Sequence, residues 1–195
     1  IVSPRVRYLT EGIYETGTTY NRVNELTNSS EKANVSAWGV TADVNYALPL
    51  LESLFKPGLV FQYATGSPRQ AKVGTGANPA APAQQNETGT DNNFFYFGYY
   101  SAGLALKPKL SNLHVLRAGF QFRPLLHFHW GRNLMTVFKY SYYHKQVAEN
   151  VISDPNASVA KASVGHGLDM QLVYDFASDL KFFYAYGAFL PGAAY

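Results

Sequence analysis

Residues 165–190 read GHGLDMQLVYDFASDLKFFYAYGAFL, and the spacing of their apolar side chains decides the fold. Leu168, Met170, Leu172 and Tyr174 alternate with Gly167, Asp169, Gln171 and Val173. A period of two puts successive side chains on opposite faces of an extended strand, whereas a helix would repeat every three or four residues. After a short turn at residues 175–179 the alternation resumes as Leu180, Phe182, Tyr184, Tyr186, Ala188 and Leu190. The stretch therefore predicts an antiparallel hairpin with one apolar face.

Working outward, the same period recurs. Trp38, Val40, Ala42, Val44, Tyr46 and Leu48 oppose Gly39, Thr41, Asp43 and Asn45, and Leu59, Phe61 and Tyr63 oppose Val60 and Gln62. Leu116, Ala118, Phe120 and Phe122 alternate with Arg117, Gly119, Gln121 and Arg123. Thr136, Phe138, Tyr140 and Tyr142 alternate with Lys139, Ser141 and Tyr143, and near the start Val6, Tyr8, Thr10 and Tyr14 oppose Arg5, Arg7 and Glu11. Seven strands follow from this count. Most run to about ten residues, longer than the roughly 5–6 of soluble sheets and close to the roughly 9–11 that cross a bilayer at a tilt.

Composition agrees with that length. Of the 195 residues, 15% are charged and 15% aromatic, while hydrophobic content is 47%. Soluble domains carry about 25% charge. The apolar residues never gather into a helical membrane span: the best run, Tyr46 to Phe55, is short and contains Glu52. The expected class is all-β, a transmembrane antiparallel β-barrel of up-and-down meander topology, with one parity toward lipid, rings at the two interfaces and the polar parity toward a wet interior. The whole of residues 1–195 reads as one barrel segment.

The connections alternate between two kinds. Residues 49–57, 124–133 and 175–179 are short turns, whereas residues 19–33, 67–112 and 147–162 are long and polar and are expected to be external loops. Within the second of these, Ser67 to Asn93 is rich in Gly, Pro, Ala, Asn and Gln and reads as a flexible surface loop. Residues 94–106, in the run FFYFGYYSAGLAL, are aromatic enough for an eighth membrane strand. That assignment would put the later long loops on the wrong side, so an ordered hairpin or flap belonging to the external loop is the preferred reading.

The C-terminal hairpin with its sequel, Gly165 to Tyr195, resembles the near-terminal hairpin of the alginate-export family of outer-membrane barrels: a Gly, a Leu-Asp pair in a strand, a short turn, an aromatic strand, then Pro-Gly. LSNLHVLRAGFQFRPL from Leu110 and FKYSYYHK from Phe138 support it less specifically. The resemblance implies a bacterial outer-membrane location and a large closed barrel, roughly 16–18 strands, with an aqueous lumen. It also implies an acidic polysaccharide or small anionic solute as the passenger. Seven strands cannot close a barrel of even strand number, and the chain stops where the family continues into a last strand. The expectation is a segment of a larger barrel, lacking strands before Ile1 and after Tyr195. The alternative is an eight-stranded barrel that uses Tyr96 to Leu106 as a strand and Tyr195 as its terminal ring.

For a channel, parity turns Arg5, Arg7, Arg117, Arg123 and Lys139 inward, against Glu11, Asp43 and Asp169. Five bases to three acids favours anions, because a low-dielectric tube focuses the field of its lining. The competing reading is that these charges pair with one another and only hold the wall. Arg123 stands beside Pro124 at a turn, where it could lie off the barrel, and Arg117 with Lys139 on adjacent strands is the firmest pair.

Other chemistries find less. There is no Cys, so no disulfide or thiolate site exists. His127 and His129 lie two apart in HFHW without a carboxylate or third imidazole to complete a metal set, and suit an interfacial turn better. His114, His144 and His166 have Ser111, Ser141 and Ser163 near them in sequence but in no catalytic pattern. The net charge of +3 is scattered, which speaks against nucleic acid, and Gly74 and Gly76 lie in a loop with no following helix to cradle phosphate. The expected function is a porin-like channel without catalysis or cofactor, its partners being outer-membrane lipid and any protein that meets the external loops. The alternatives are an adhesion or partner-binding barrel with no open pore and, behind it, a barrel enzyme.

Overall fold

The computed structural model describes residues 5–24, 29–49, 52–68, 90–94, 100, 102–177 and 179–195. Its strands are β1 (Val6–Asn24), β2 (Ser29–Ala47), β3 (Gly58–Gly66), β4 (Thr90–Asp91), β5 (Leu113–Phe122), β6 (Leu134–Lys145), β7 (Ser163–Asp175) and β8 (Lys181–Pro191), with a single helical turn, α1 (Glu52–Phe55), between β2 and β3. The sheet order is β1-β2-β3-β5-β6-β7-β8, every neighbour antiparallel, and the two-residue β4 lies parallel to β2. These seven meandering strands are the seven that the alternation predicts. The sheet is open among the described residues, with β1 at one edge and β8 at the other.

Register makes the two faces unlike. Tyr8, Val44, Phe61, Ala118, Tyr140, Leu168 and Ala188 are successive cross-strand partners from β1 to β8. The row on one side of it runs Val6, Tyr46, Leu59, Phe120, Phe138, Met170 and Tyr186, and the row on the other Thr10, Ala42, Tyr63, Leu116, Tyr142, His166 and Leu190. These three rows of one face hold no Asp, Glu, Lys or Arg. Tyr8, Phe61, Leu116, Tyr140 and Leu168 are all exposed there. This is the open face.

The covered face carries the buried residues. Residues 90–94, 102–112 and 147–162 pack over one end of it, so that Phe94, Ala102, Leu106, Leu110, Ile152 and Ala157 join Ala64, Val115, Tyr143 and Val164 in one cluster. The core thus lies between the sheet and its own connections. Gly66 makes room for this: a Cβ there would stand 2.6 Å from the Phe94 ring. Gly187 does the same for the Leu104 side chain, also at 2.6 Å.

One part of the loop plan differs from expectation and another is as expected. β1 runs to Asn24 and β2 starts at Ser29, so most of residues 19–33 is strand. The period of two detects a strand only where one face is apolar; a polar hairpin extension is held by its backbone ladder, which alternation does not register. In the expected flap, residues 102–106 are not strand, which removes an eighth membrane strand from that part. Residues 95–99 and 101, and 69–89 of the expected flexible loop, lie outside the described residues.

Asn112 ties the connections together. It is fully buried with φ of 58°, a left-handed conformation that Asn tolerates better than most residues. Its Nδ2 donates to the carbonyls of Val147, Asn150 and Val151 at 3.1–3.2 Å, and its Oδ1 accepts from the Val147 amide at 2.9 Å. Asn112→Ala leaves these groups without partners at a cost of about 3 kcal/mol. The expected result is loss of hydrogen-exchange protection at the Val147 amide while the β5 to β7 ladders stay protected; unchanged protection would refute the tie.

At the same end, Tyr195 Oη donates to Asp154 Oδ2 at 2.6 Å. Burial first, then that carboxylate, raises the phenol above its ordinary value near 10. Because the folded state holds the proton more tightly, this contribution is complete below about pH 10 and is lost as pH rises through the folded value. Alkaline titration of the C-terminal segment followed by amide exchange should show this loss in the native chain and not in Tyr195→Phe; the same alkaline midpoint in both would contradict the assignment.

Candidate channel-lining face

On the covered face, register sets the polar residues side by side. One row reads Leu9, Asp43, Gln62, Arg117, Ser141, Gly167 and Phe189; the next reads Arg7, Asn45, Val60, Gly119, Lys139, Asp169 and Gly187. Arg117 is buried, with Nε donating to Ser141 Oγ and Nη1 to Gln62 Oε1, both at 3.0 Å. Lys139 lies directly across from Asp169 and within electrostatic range of Arg117 and Asp43. The structure therefore brings together Asp43, Arg117, Lys139 and Asp169, two acids and two bases.

The remaining expected residues stand apart. Arg7 and Glu11 are on edge strand β1, exposed, and Arg5 just precedes it with its carbonyl accepting from the Ala47 amide. All three share the covered parity and lie beside β2 with its Asp43, but β2 and β3 separate them from Arg117, Lys139 and Asp169. Arg123 is past the end of β5, where Nη1 donates to the Arg132 carbonyl at 3.0 Å, so it serves the turn. A sum of charges by parity cannot separate an edge or turn residue from one in the middle of the sheet.

Four participants carry no charge and were invisible to a charge count. Gln62 and Ser141 orient the Arg117 guanidinium, and both lie on the polar parity beside it. Tyr143 is buried and its Oη donates to the Ala102 carbonyl at 2.7 Å. From the connecting segment, Tyr100 comes close to Arg117, Asp43 and Tyr143; burial, partly opposed by Arg117, pushes its phenol up to about 12, which keeps it a neutral donor. The Tyr100 hydroxyl and Asp43 Oδ1 are buried with no hydrogen-bond partner among the described residues.

The segment at 102–106 is pinned to this wall. The Leu104 amide donates to both carboxylate oxygens of Asp169, at 3.2 and 3.3 Å. With the Tyr143–Ala102 bond, that fixes the connection against β6 and β7. No group of three or more His, Asp or Glu that could hold a metal exists among the described residues. His127 and His129 lie exposed in the turn before β6.

A sheet whose seven meandering strands are each at least nine residues long, with an aromatic-rich open face uncharged in its three central rows and a charged face covered, is the wall of a membrane β-barrel. Backbone groups in lipid must be satisfied within the protein, and long inter-strand ladders do this. A family model described as Alginate export matches residues 2–195, and the chain belongs to that family, one of outer-membrane β-barrels that act in transport. No curated protein matches the chain.

Asp169→Ala and Tyr143→Phe each remove one pin, at about 1–3 kcal/mol. Amide exchange at Leu104 should accelerate strongly in Asp169→Ala, with the β6–β7 ladder unchanged. Equal rates in the native and variant chains would show that the carboxylate does not hold the segment.

Proposed function

We propose that this chain forms part of the wall of a channel in the bacterial outer membrane that passes hydrophilic, anionic solutes by passive diffusion, an acidic polysaccharide among them. The observation that carries the reading is the adjacency of Arg117 and Lys139 on β5 and β6, in the middle of the covered face and opposite the three uncharged rows of the open face. Membership of a transport family supports it. Solute would be selected by pore width and by the field of the lining, which a low-dielectric wall concentrates. Asp43 and Asp169 stand in the same cluster and temper the positive field. They offset part of the charge of Arg117 and Lys139, and Arg5 and Arg7, with Glu11 against them, add a further net positive charge on the same face.

A second reading, a narrow or plugged barrel that serves as a binding or adhesion surface, draws on the packing of residues 102–112 against the covered face. The two differ in conductance. In planar bilayers the full-length protein should give discrete conductance steps, and a salt gradient should give a reversal potential of anion-preferring sign. Arg117→Gln with Lys139→Gln leaves Asp43 and Asp169 unopposed and should move that potential toward cation preference. Absence of conductance would favour the plugged barrel; unchanged anion preference in the double variant would remove these two residues from the selective lining.

A further inference from the structure

The loop end of the open face has a feature that a channel wall does not require. Three imidazoles point outward there on consecutive strands: His114 on β5, His144 on β6 and His166 on β7, all half-buried. His114 and His144 are direct register partners, and His166 is the partner of Tyr142. Tyr63 Oη meets His114 Nδ1 at 2.9 Å and Tyr140 Oη meets His166 Nδ1 at 2.6 Å. The rings of Tyr63, His114, His144, Tyr142, His166 and Tyr140 follow one another at centroid distances of 5.3–6.5 Å. At the other end of the same face the rings are Phe120, Phe122 and Phe138, with no imidazole among them.

Each Nδ1–phenol contact can form with either group as donor, and the arrangements in which the imidazole offers a donor to a ligand are two. When a phenol donates to Nδ1, the ring proton sits on Nε2; when the ring is protonated, both nitrogens carry hydrogen. In both states His114 and His166 present an Nε2–H. Each can donate to an acceptor arriving from the membrane side.

Directly beside this belt runs an apolar groove of about 570 Å³, walled by Phe61, Tyr63, Tyr140 and Tyr142 with Leu116 and Ala118 along its floor. Ala118 is the small residue between two rings in its row, and its lack of bulk opens the groove. The groove lies on the face that meets lipid, and no acidic side chain occurs in the three open-face rows to repel an anion. An acyl chain fits the groove, and hydrogen-bond donors stand at the end where its headgroup would lie.

We propose that this groove and the His–Tyr belt form a site for a membrane lipid with a phosphate-bearing headgroup, the acyl chain along Ala118 and the phosphate oxygens on Nε2–H of His114 and His166, with His144 between them. Phosphate oxygens accept several hydrogen bonds at once, which suits a row of donors better than an ester or hydroxyl headgroup does. The ordered lipid would mark which end of the barrel wall lies at that leaflet's surface.

The test is native mass spectrometry of the full-length protein in detergent, titrated with phosphatidylglycerol or with diacylglycerol of identical chains. Phosphatidylglycerol should bind about tenfold more tightly, the effect of one or two hydrogen bonds to a charged group. His114→Phe with His166→Phe should bring the two lipids to equal affinity while retaining both. Ala118→Phe, which fills the groove and leaves the belt, should weaken both. Equal affinity of the two lipids for the native chain, or a surviving phosphate preference in the double variant with its β-sheet circular dichroism intact, would overturn the proposal. Displacement of phosphatidylglycerol by glycerol phosphate alone at similar concentration would likewise overturn it, because the groove would then contribute nothing.

Discussion

The constraint on which the rest depends is that a polypeptide backbone in lipid has no water to satisfy its N–H and C=O groups. Inter-strand ladders meet that demand, and they impose a period of two on every side chain along the wall. One face must then be acceptable to hydrocarbon throughout, while everything polar is moved to the other. In this chain the register carries this out across the whole sheet: Tyr8 through Ala188 form one uncharged row, and the next rows on the opposite face hold Asp43, Arg117, Lys139 and Asp169. Low charge and high aromatic content are the compositional trace of that division.

The covered face then has to be filled or wetted. At its loop end it is filled, by residues 90–94, 102–112 and 147–162, whose apolar side chains make the only buried apolar cluster of the described residues. Midway it is lined by charge and amide groups. The pins between the two zones, the Asp169 carboxylate and the Tyr143 hydroxyl, belong to the wall and hold the connection by backbone atoms alone.

Most of the strand plan was legible because Leu168–Tyr174, Phe138–Tyr142 and Leu116–Phe122 each write the period of two in apolar residues. The extension of β1 and β2 past Thr18 and before Asn34 was not, because a ladder outside an apolar band leaves no face to recognise. The exclusion of residues 102–106 from the strands was legible from the loop count; their packing against Asp169 and Tyr143 was not, since long-range backbone-to-carboxylate bonds leave no local pattern. The same holds for the charged set. Parity put Arg117, Lys139, Asp43 and Asp169 on one face, but only register placed them together and left Arg7 and Glu11 on the edge strand. Arg123, an inward residue by parity, is drawn off by the Arg132 carbonyl at the turn.

The central claim is the assignment of the two faces, open to lipid and covered to water. The sequence has no Cys, so a single engineered Cys at each of Phe138, Lys139, Tyr140 and Ser141 gives one spin label per molecule in a lipid bilayer. Collision with molecular oxygen, which concentrates in lipid, and with a water-soluble nickel chelate should alternate residue by residue. Labels at 138 and 140 should favour oxygen, and those at 139 and 141 should be shielded from lipid. Equal oxygen accessibility at all four positions, or alternation in the opposite phase, would contradict the account.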